Sequence, residues 1–432
     1  MLSPQPARAL DEREAYRLGS EAYVFGFPLI EMARTRFLLV EDPSNPFAFK
    51  LNTMFNVPRL AGPSSRNVVA PNSDTLYSLA WLDLRGGPVV LKVPDTEGRY
   101  YSMQFLDFYT NTFDYVGRRK TGTKEGAYAI VGPDFSGAPP AGMPIIRSPT
   151  PSVWLLGRTL IDTPDELPKV LALMQRYTLS TTDEAPPLKR VPQADPTEPL
   201  SVFATINAAL AENPPPARDA DLVKSFAAIG VGPGLAFDPK ALPTEIAKAL
   251  RRAIEDVDRT FTRTEGRPAD RVNGWSKPPA DLGNYGDKFK LRAAIAKNGL
   301  GANTLEESFY YTVAVDAENR PLNGTSRYVL RFDAKDLPPV DAFWSVTMYG
   351  PDRFLIDNPI RRYAIGDRTI GLRREKDGAL EIHVQHQAPG GDKDANWLPA
   401  PGGDFSLMLR AYEPRKPMLD GAYAPPPVRR LP

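Results

Sequence analysis

The stretch Tyr77-Ser78-Leu79-Ala80-Trp81-Leu82-Asp83-Leu84-Arg85-Gly86-Gly87-Pro88-Val89-Val90-Leu91-Lys92-Val93 decides the fold class. Two apolar runs are separated by an Arg-Gly-Gly-Pro turn, and strands this close together cannot accommodate crossover helices, so the sheet structure is expected to be largely antiparallel. The pattern continues with strands expected at 100–108, 112–116 and 127–131, and Asp95-Thr96-Glu97-Gly98 supplies a further turn. Toward the N-terminus the period changes. Leu18, Ala22, Phe25, Leu29 and Met32 recur at helical spacing within 11–39, which predicts one or two amphipathic helices broken near Gly26 and Pro28.

Beyond Asp162 helical signals take over. Thr163-Pro164-Asp165-Glu166 reads as a cap and first turn, with helices expected at 170–177, 202–211, 220–229, 243–263 and 288–297 and an exposed proline-rich linker at 183–199. The β pattern returns after Phe309, at 310–316, 326–332, 343–349, 380–385 and 405–412. The chain therefore reads as α+β and β-rich: two mainly antiparallel β-sandwich modules, jelly-roll-like, with N-terminal helices and a helical segment between them. The corresponding divisions are 1–40 for N-terminal helices packing on the first module, 41–160 for that module, 161–305 for the helical middle and 306–432 for the second module. A weak echo between 95–105 and 341–348 fits a duplicated module or chance.

Composition removes many chemistries. The 432 residues exceed what one core usually supports, and 46 prolines with 32 glycines, spread without a period, imply many turns and short strands. Fifty-three basic residues against 52 acidic ones give a net charge of +1, which steers the chain toward neither nucleic acid nor an anionic membrane. There is no cysteine, hence no disulfide, thiolate metal site or cysteine nucleophile. The apolar stretch 22–32 is about half the length of a membrane span and contains Pro28, so no transmembrane segment is expected. Residues 1–14 lack a basic start followed by an apolar block. The expected compartment is cytoplasmic for the sequence as it stands, and periplasmic or secreted if an export signal has been removed.

The two histidines, His383 and His386, stand three apart on an expected strand and so face opposite sides, which disfavours a shared metal and a histidine-based triad. Neither a metal nor a cofactor is predicted. The polar cluster Asn72-Ser73-Asp74-Thr75-Leu76-Tyr77 before a strand reads either as an Asx-type turn or as a site, with Asp74 as base or ligand and Asn72 and Tyr77 as neighbours. In Arg99-Tyr100-Tyr101-Ser102-Met103-Gln104-Phe105, alternation puts Arg99, Tyr101, Met103 and Phe105 on one face. An inward Arg99 needs a carboxylate, and Asp74 or Asp107 is the expected partner. Trp275, Tyr285, Trp344, Arg362 and Trp397 stand in or near loops, where aromatics stack on ligands and arginine clamps a carboxylate, or where they plug a core.

These motifs resemble the two-domain proteins that carry domain of unknown function 1254 followed by domain of unknown function 1214. The first half of the resemblance rests on Pro71 through Ser78, Trp81-Leu82-Asp83-Leu84, Arg99-Tyr100-Tyr101-Ser102 with Asp107, and 122–132. The second rests on Phe343-Trp344-Ser345-Val346-Thr347-Met348-Tyr349, Asn358, Arg362-Tyr363, Asn396-Trp397-Leu398-Pro399 and Leu409 through Pro414. The resemblance implies two β-sandwich-like modules decorated by helices, and no family-wide reaction.

Three functions stay open. A small-molecule enzyme of hydrolase or lyase type would place its pocket between the β modules, with Asp74 as base, Tyr77 or Tyr101 as acid, and Arg99 or Arg362 as anion clamp. A carbohydrate or small-ligand binding protein of the cell envelope would expose Trp275, Trp344 and Trp397 along a groove. A structural or assembly protein would pair sandwich edges into a homodimer.

Overall fold

The computed structural model describes residues 10–66, 69–138, 140, 142–181, 186–187, 189–261 and 271–432. It is α+β, with four mostly antiparallel sheets, none of them closed. The central sheet of the first module runs in the order Phe55–Asn56, Thr75–Asp83, Ser152–Leu160, Tyr101–Leu106, Thr112–Gly117, antiparallel throughout. Its second sheet joins Ile145–Arg147, Gly126–Val131, Val89–Val93 and Thr178–Thr181. Leu76, Ala80, Leu82, Tyr101, Met103 and Phe105 project from the first sheet onto Val89, Leu91 and Ile130 of the second; Tyr101, Met103 and Phe105 share the face expected from sequence, while Arg99 does not join them in this core.

Two strands of this module escape the period-two pattern. Ser152–Leu160 is buried along its whole length because both faces of the sheet are covered, so it alternates nothing. Thr178–Thr181 follows directly on the helix Leu167–Met174 and pairs with Val89–Val93, which brings part of the expected middle segment into the first module.

The second module repeats the arrangement. One sheet orders Arg271–Val272, Trp275–Ser276, Ser308–Val313, Ser406–Pro414, Val340–Tyr349 and Ala364–Gly366, and the other Trp397–Pro399, Leu380–Gln385, Tyr328–Phe332 and Arg429–Arg430. Phe309, Tyr311, Trp344, Val346, Leu407 and Leu409 fill the space between them. The alternate residues of the same strands, Tyr310, Phe343, Ser345, Arg410 and Tyr412, therefore point the other way, toward the first module.

The N-terminal segment is one helix, Glu12–Arg36, capped by Asp11, whose side chain accepts from the Glu14 amide at 2.8 Å. The break expected near Gly26 and Pro28 does not occur. The helix lies against Val202–Glu212, Thr244–Phe261 and Phe289–Gly299, and that burial outweighs the roughly 3 kcal/mol cost of an internal proline. Gly26 is what lets Val202–Glu212 approach: a Cβ there would stand 2.4 Å from Ile206 Cδ1. The helix expected at 243–263 is seen as Thr244–Phe261; its last two residues, and residues 183–185 and 188 of the expected linker, lie outside the described set.

This helical layer covers part of the outer face of the first central sheet, at Trp81, Leu106, Trp154 and Leu156. The second module covers another part, through a cluster of Tyr100, Leu160, Phe343 and Tyr412 in which Phe343 stacks on Tyr412 at 4.2 Å. Where the three bodies meet they enclose a cleft. No helix among the described residues is long and apolar enough to cross a membrane.

Candidate functional site: an arginine and tyrosine cleft

The cleft has a volume of about 1180 Å³. Its walls are the outer faces of the two central sheets, the helix Phe289–Gly299, the C-terminal end of the first helix and the loop leading to Asn72. Strand register dictates what each wall offers. In the first module Tyr77 pairs with Arg158 and, one step along the same face, Leu79 pairs with Leu156. In the second module Tyr310 pairs with Arg410, and Ser308 with Tyr412. The two registers set two guanidiniums and three phenols around one end of the cleft.

Neither buried guanidinium has a carboxylate within ion-pair distance among the described residues. Arg158 donates to Gln104 Oε1 at 2.8 Å, Asn303 Oδ1 at 3.0 Å and the Gly301 carbonyl at 2.7 Å. Gly301 presents that carbonyl from a left-handed backbone, φ +78°, which favours glycine. Arg410 donates to the Ala70 carbonyl at 2.7 Å and the Tyr349 hydroxyl at 2.5 Å, and its buried Nε has no partner. A third arginine, Arg353, also lines the cleft; burial lowers its pKa, and Tyr349 nearby opposes that.

The hydroxyls are fixed as donors. Asn72 Oδ1 accepts from the Asp74 amide at 2.7 Å, which orients its Nδ2 toward the Tyr412 hydroxyl at 2.6 Å. Asn303 Oδ1 is likewise held by Arg158, which turns its Nδ2 to the Tyr310 hydroxyl at 3.0 Å. The Tyr77 hydroxyl accepts from the Asn72 backbone N–H at 3.4 Å. Each phenol thus accepts from a group that can only donate and keeps its own proton for something else. Burial raises the Tyr412 pKa well above that of a free phenol, so the proton stays on at neutral pH. Taken together, this end of the cleft offers N–H and O–H donors and positive charge, which is the chemistry of an anion site.

Two family models match the chain: protein of unknown function DUF1254 over residues 51–181, and protein of unknown function DUF1214 over residues 307–416. The chain belongs to the two-domain DUF1254–DUF1214 family. Among solved structures, the VPA0106 protein of Vibrio parahaemolyticus is 25% identical with a TM-score of 0.73, covering 97% of this chain and 100% of that one. An uncharacterised protein of Burkholderia cenocepacia is 15% identical with a TM-score of 0.48, covering 98% of this chain and 95% of that one. No curated protein matches the sequence.

The DUF1254 region contributes Asn72, Tyr77 and Arg158 to the cleft, and the DUF1214 region contributes Tyr310, Arg353, Arg410 and Tyr412. Of the candidate site residues read from sequence, only Asn72 and Tyr77 line it. Asp74 stands just behind, its carboxylate accepting from Ser345 Oγ at 2.6 Å and from Arg368 Nη2 at 3.0 Å, so it ties the DUF1254 region to the DUF1214 region. Arg99 does not reach Asp74 or Asp107. It pairs with Asp162 and Glu166 beside a separate depression of about 480 Å³, because its strand end faces the start of the Pro164–Glu166 turn. Tyr101 lies between the two sheets of its module, stacked on Tyr177, and burial pushes its pKa up to about 12.

The three tryptophans proposed as stacking surfaces are core residues. Trp275 Nε1 donates to the Pro426 carbonyl and Trp397 Nε1 to the Gln385 carbonyl, while Trp344 packs on Phe332 in the inter-sheet core. Tyr285 is buried, and Arg362 Nη1 caps the carbonyls of Asp394, Ala395 and Trp397. Arg158 and Arg410 were the residues to look for. Each is an arginine inside an otherwise apolar run, Val153-Trp154-Leu155-Leu156-Gly157-Arg158 and Leu407-Met408-Leu409-Arg410-Ala411, and such a cation must find partners in the fold. His383 is buried and His386 exposed, and among the described residues no group of three or more His, Asp or Glu side chains is placed to hold a metal.

Proposed function

We propose that the cleft binds a small organic anion, most simply a carboxylate, held by Arg158 and Arg410 and by the hydroxyls of Tyr77, Tyr310 and Tyr412. The observation that carries this reading is the unpartnered buried Nε of Arg410, in a pocket whose neighbouring hydroxyls are arranged as donors. A buried cation without a carboxylate costs stability in the empty protein, and a bound anion offsets that cost. The surroundings agree in sign: among the described residues, Arg34, Arg59, Arg158, Lys277, Arg353 and Arg410 line the cleft against the single carboxylate of Asp42. Such a field concentrates anions and raises their rate of entry.

Binding is favoured over hydrolase or lyase chemistry as the primary reading. A base would have to face the anion, and the sequence candidate, Asp74, is already engaged by Ser345 and Arg368. The test is calorimetric titration with octanoate against octan-1-ol, in the wild type and in Arg410→Met. Octanoate should bind the wild type at least tenfold more tightly than the alcohol, and the variant should lose that preference. Equal affinity for acid and alcohol would remove the proposal.

A further inference from the structure

We infer that the anion is the head group of a long aliphatic chain, an inference that rests on the anion reading and extends it to the substrate class. The polar donors occupy one end of the cleft, and the strand register carries the walls away from them into hydrocarbon. On the first wall Tyr77 and Arg158 give way to Leu79 and Leu156, two residues or about 7 Å further along paired strands, and then to Trp154. On the second wall Arg410 gives way to Met408 in the same alternation. The helix Phe289–Gly299 adds Leu291, Ala294 and Ile295. A compact anion such as phosphate or acetate would use the head and leave this surface wet.

Size points the same way. Pockets for drug-sized ligands run to about 1,000 Å³, and this one, at about 1180 Å³, is larger. The apolar lining also reaches the surface. Leu38 is 39% and Phe47 64% exposed, and both line the cleft, whereas the other large exposed hydrophobics, such as Ile145, Ile360 and Ile370, do not. Apolar side chains left in water along the lining of the cleft suit a ligand whose tail lies over them. Straight-chain fatty carboxylates match all of it: a charged planar head for guanidinium and phenol donors, and a flexible chain for the apolar walls.

The experiment is a titration of the full chain with butyrate, octanoate and dodecanoate, each below its aggregation threshold, and with dodecan-1-ol. Affinity should rise roughly two hundredfold from butyrate to octanoate, the burial of four methylenes at about 0.8 kcal/mol each. Dodecanoate should bind more tightly again. Leu38→Ser and Phe47→Ser, which remove apolar surface at exposed positions of the lining without adding charge, should weaken dodecanoate at least tenfold while butyrate, too short to span the cleft, changes far less. Carboxylates that bind with Arg410-dependent affinity but without chain-length dependence would overturn this inference and leave the anion reading standing. Dodecan-1-ol binding as tightly as dodecanoate would overturn the anion reading instead, and silence from every probe would overturn both.

Discussion

Asn72 donates its side-chain amide to the Tyr412 hydroxyl at 2.6 Å while its own carbonyl oxygen is held by the Asp74 amide at 2.7 Å. One asparagine in a turn of the first module therefore sets the donor direction of a phenol in the second. Asn72→Asp keeps the acceptor for the Asp74 amide but puts a carboxylate oxygen where the amide nitrogen was. Tyr412 would then spend its proton on that oxygen, and a negative charge would stand beside the cationic pocket. Octanoate affinity should fall at least tenfold, and Asn72→Ala, which leaves the proton free, should lose less. Calorimetric titration of the two variants decides the order.

Arg410 and Arg36 are both buried arginines, and the fold treats them differently. Arg36 donates Nη2 to Glu212 Oε2 at 2.9 Å and also contacts Glu41 and Ser152, so Arg36→Met strands a buried carboxylate and should cost about 3–5 kcal/mol in urea unfolding. Arg410 has no carboxylate to strand. Arg410→Met should leave the ligand-free protein within about 1 kcal/mol of wild type, or above it, and abolish the preference for octanoate over octan-1-ol. A loss of stability in Arg410→Met as large as in Arg36→Met would assign both to the scaffold.

Asp74 is placed as a fastener between the modules. Its partner Arg368 lies with its guanidinium 4.3 Å over the Phe343 ring, in the same aromatic cluster as Tyr100 and Tyr412. Asp74→Asn weakens one charge-assisted bond and leaves Arg368 with only the longer contact to Asp367, at 3.5 Å, which should cost on the order of 2 kcal/mol in chemical unfolding. Octanoate affinity should stay within about twofold. The reverse pattern, normal unfolding with function lost, would restore Asp74 as a reacting group.

The fold was largely legible from sequence and the site was not, for one physical reason. Tyr101–Leu106 and Ser152–Leu160 are both buried along their whole length, and period-two alternation survives only where residue types differ between faces. In the first strand Tyr101, Met103 and Phe105 enter the inter-sheet core and Ser102 and Gln104 take the other face. Ser152–Leu160 carries apolar residues on both faces, so the strand that holds Arg158 gives no periodic signal and its arginine goes unmarked with it. Polar clusters such as Asn72 to Tyr77 advertise themselves by composition. The cleft is instead assembled by pairs standing 81 and 100 positions apart, Tyr77 with Arg158 and Tyr310 with Arg410, that meet as cross-strand neighbours and form one site only when their two sheets come together. Tryptophan was misleading for the opposite reason: Trp275, Trp344 and Trp397 read as loop or near-loop residues in sequence but are buried on strands.

Glu413 supplies a pH dependence with a definite sign. It sits at a left-handed backbone position, φ +49°, where its amide donates to the Glu307 carbonyl, and its carboxylate pairs with Arg118 of the first module while Oε1 is buried without a partner. Burial pushes its pKa up to about 7; Arg118 opposes the rise and the nearby Glu307 adds to it. The folded protein thus binds this proton more tightly than the unfolded chain, whose glutamate titrates near 4.5. Stability must fall as pH rises from about 4.5 to 7 and stay at the lower value above. Asp367, pushed up to about 6 chiefly by burial, acts in the same direction over a lower window. Glu413→Gln removes the larger contribution, so the variant should match wild type at pH 4.5 and exceed it at pH 8 by about 1–3 kcal/mol, since each tenfold change in proton affinity is worth about 1.4 kcal/mol and solvent screening trims the total. Urea unfolding at the two pH values reads it directly, and a variant that loses stability between them as steeply as wild type would show that Glu413 is not the group responsible.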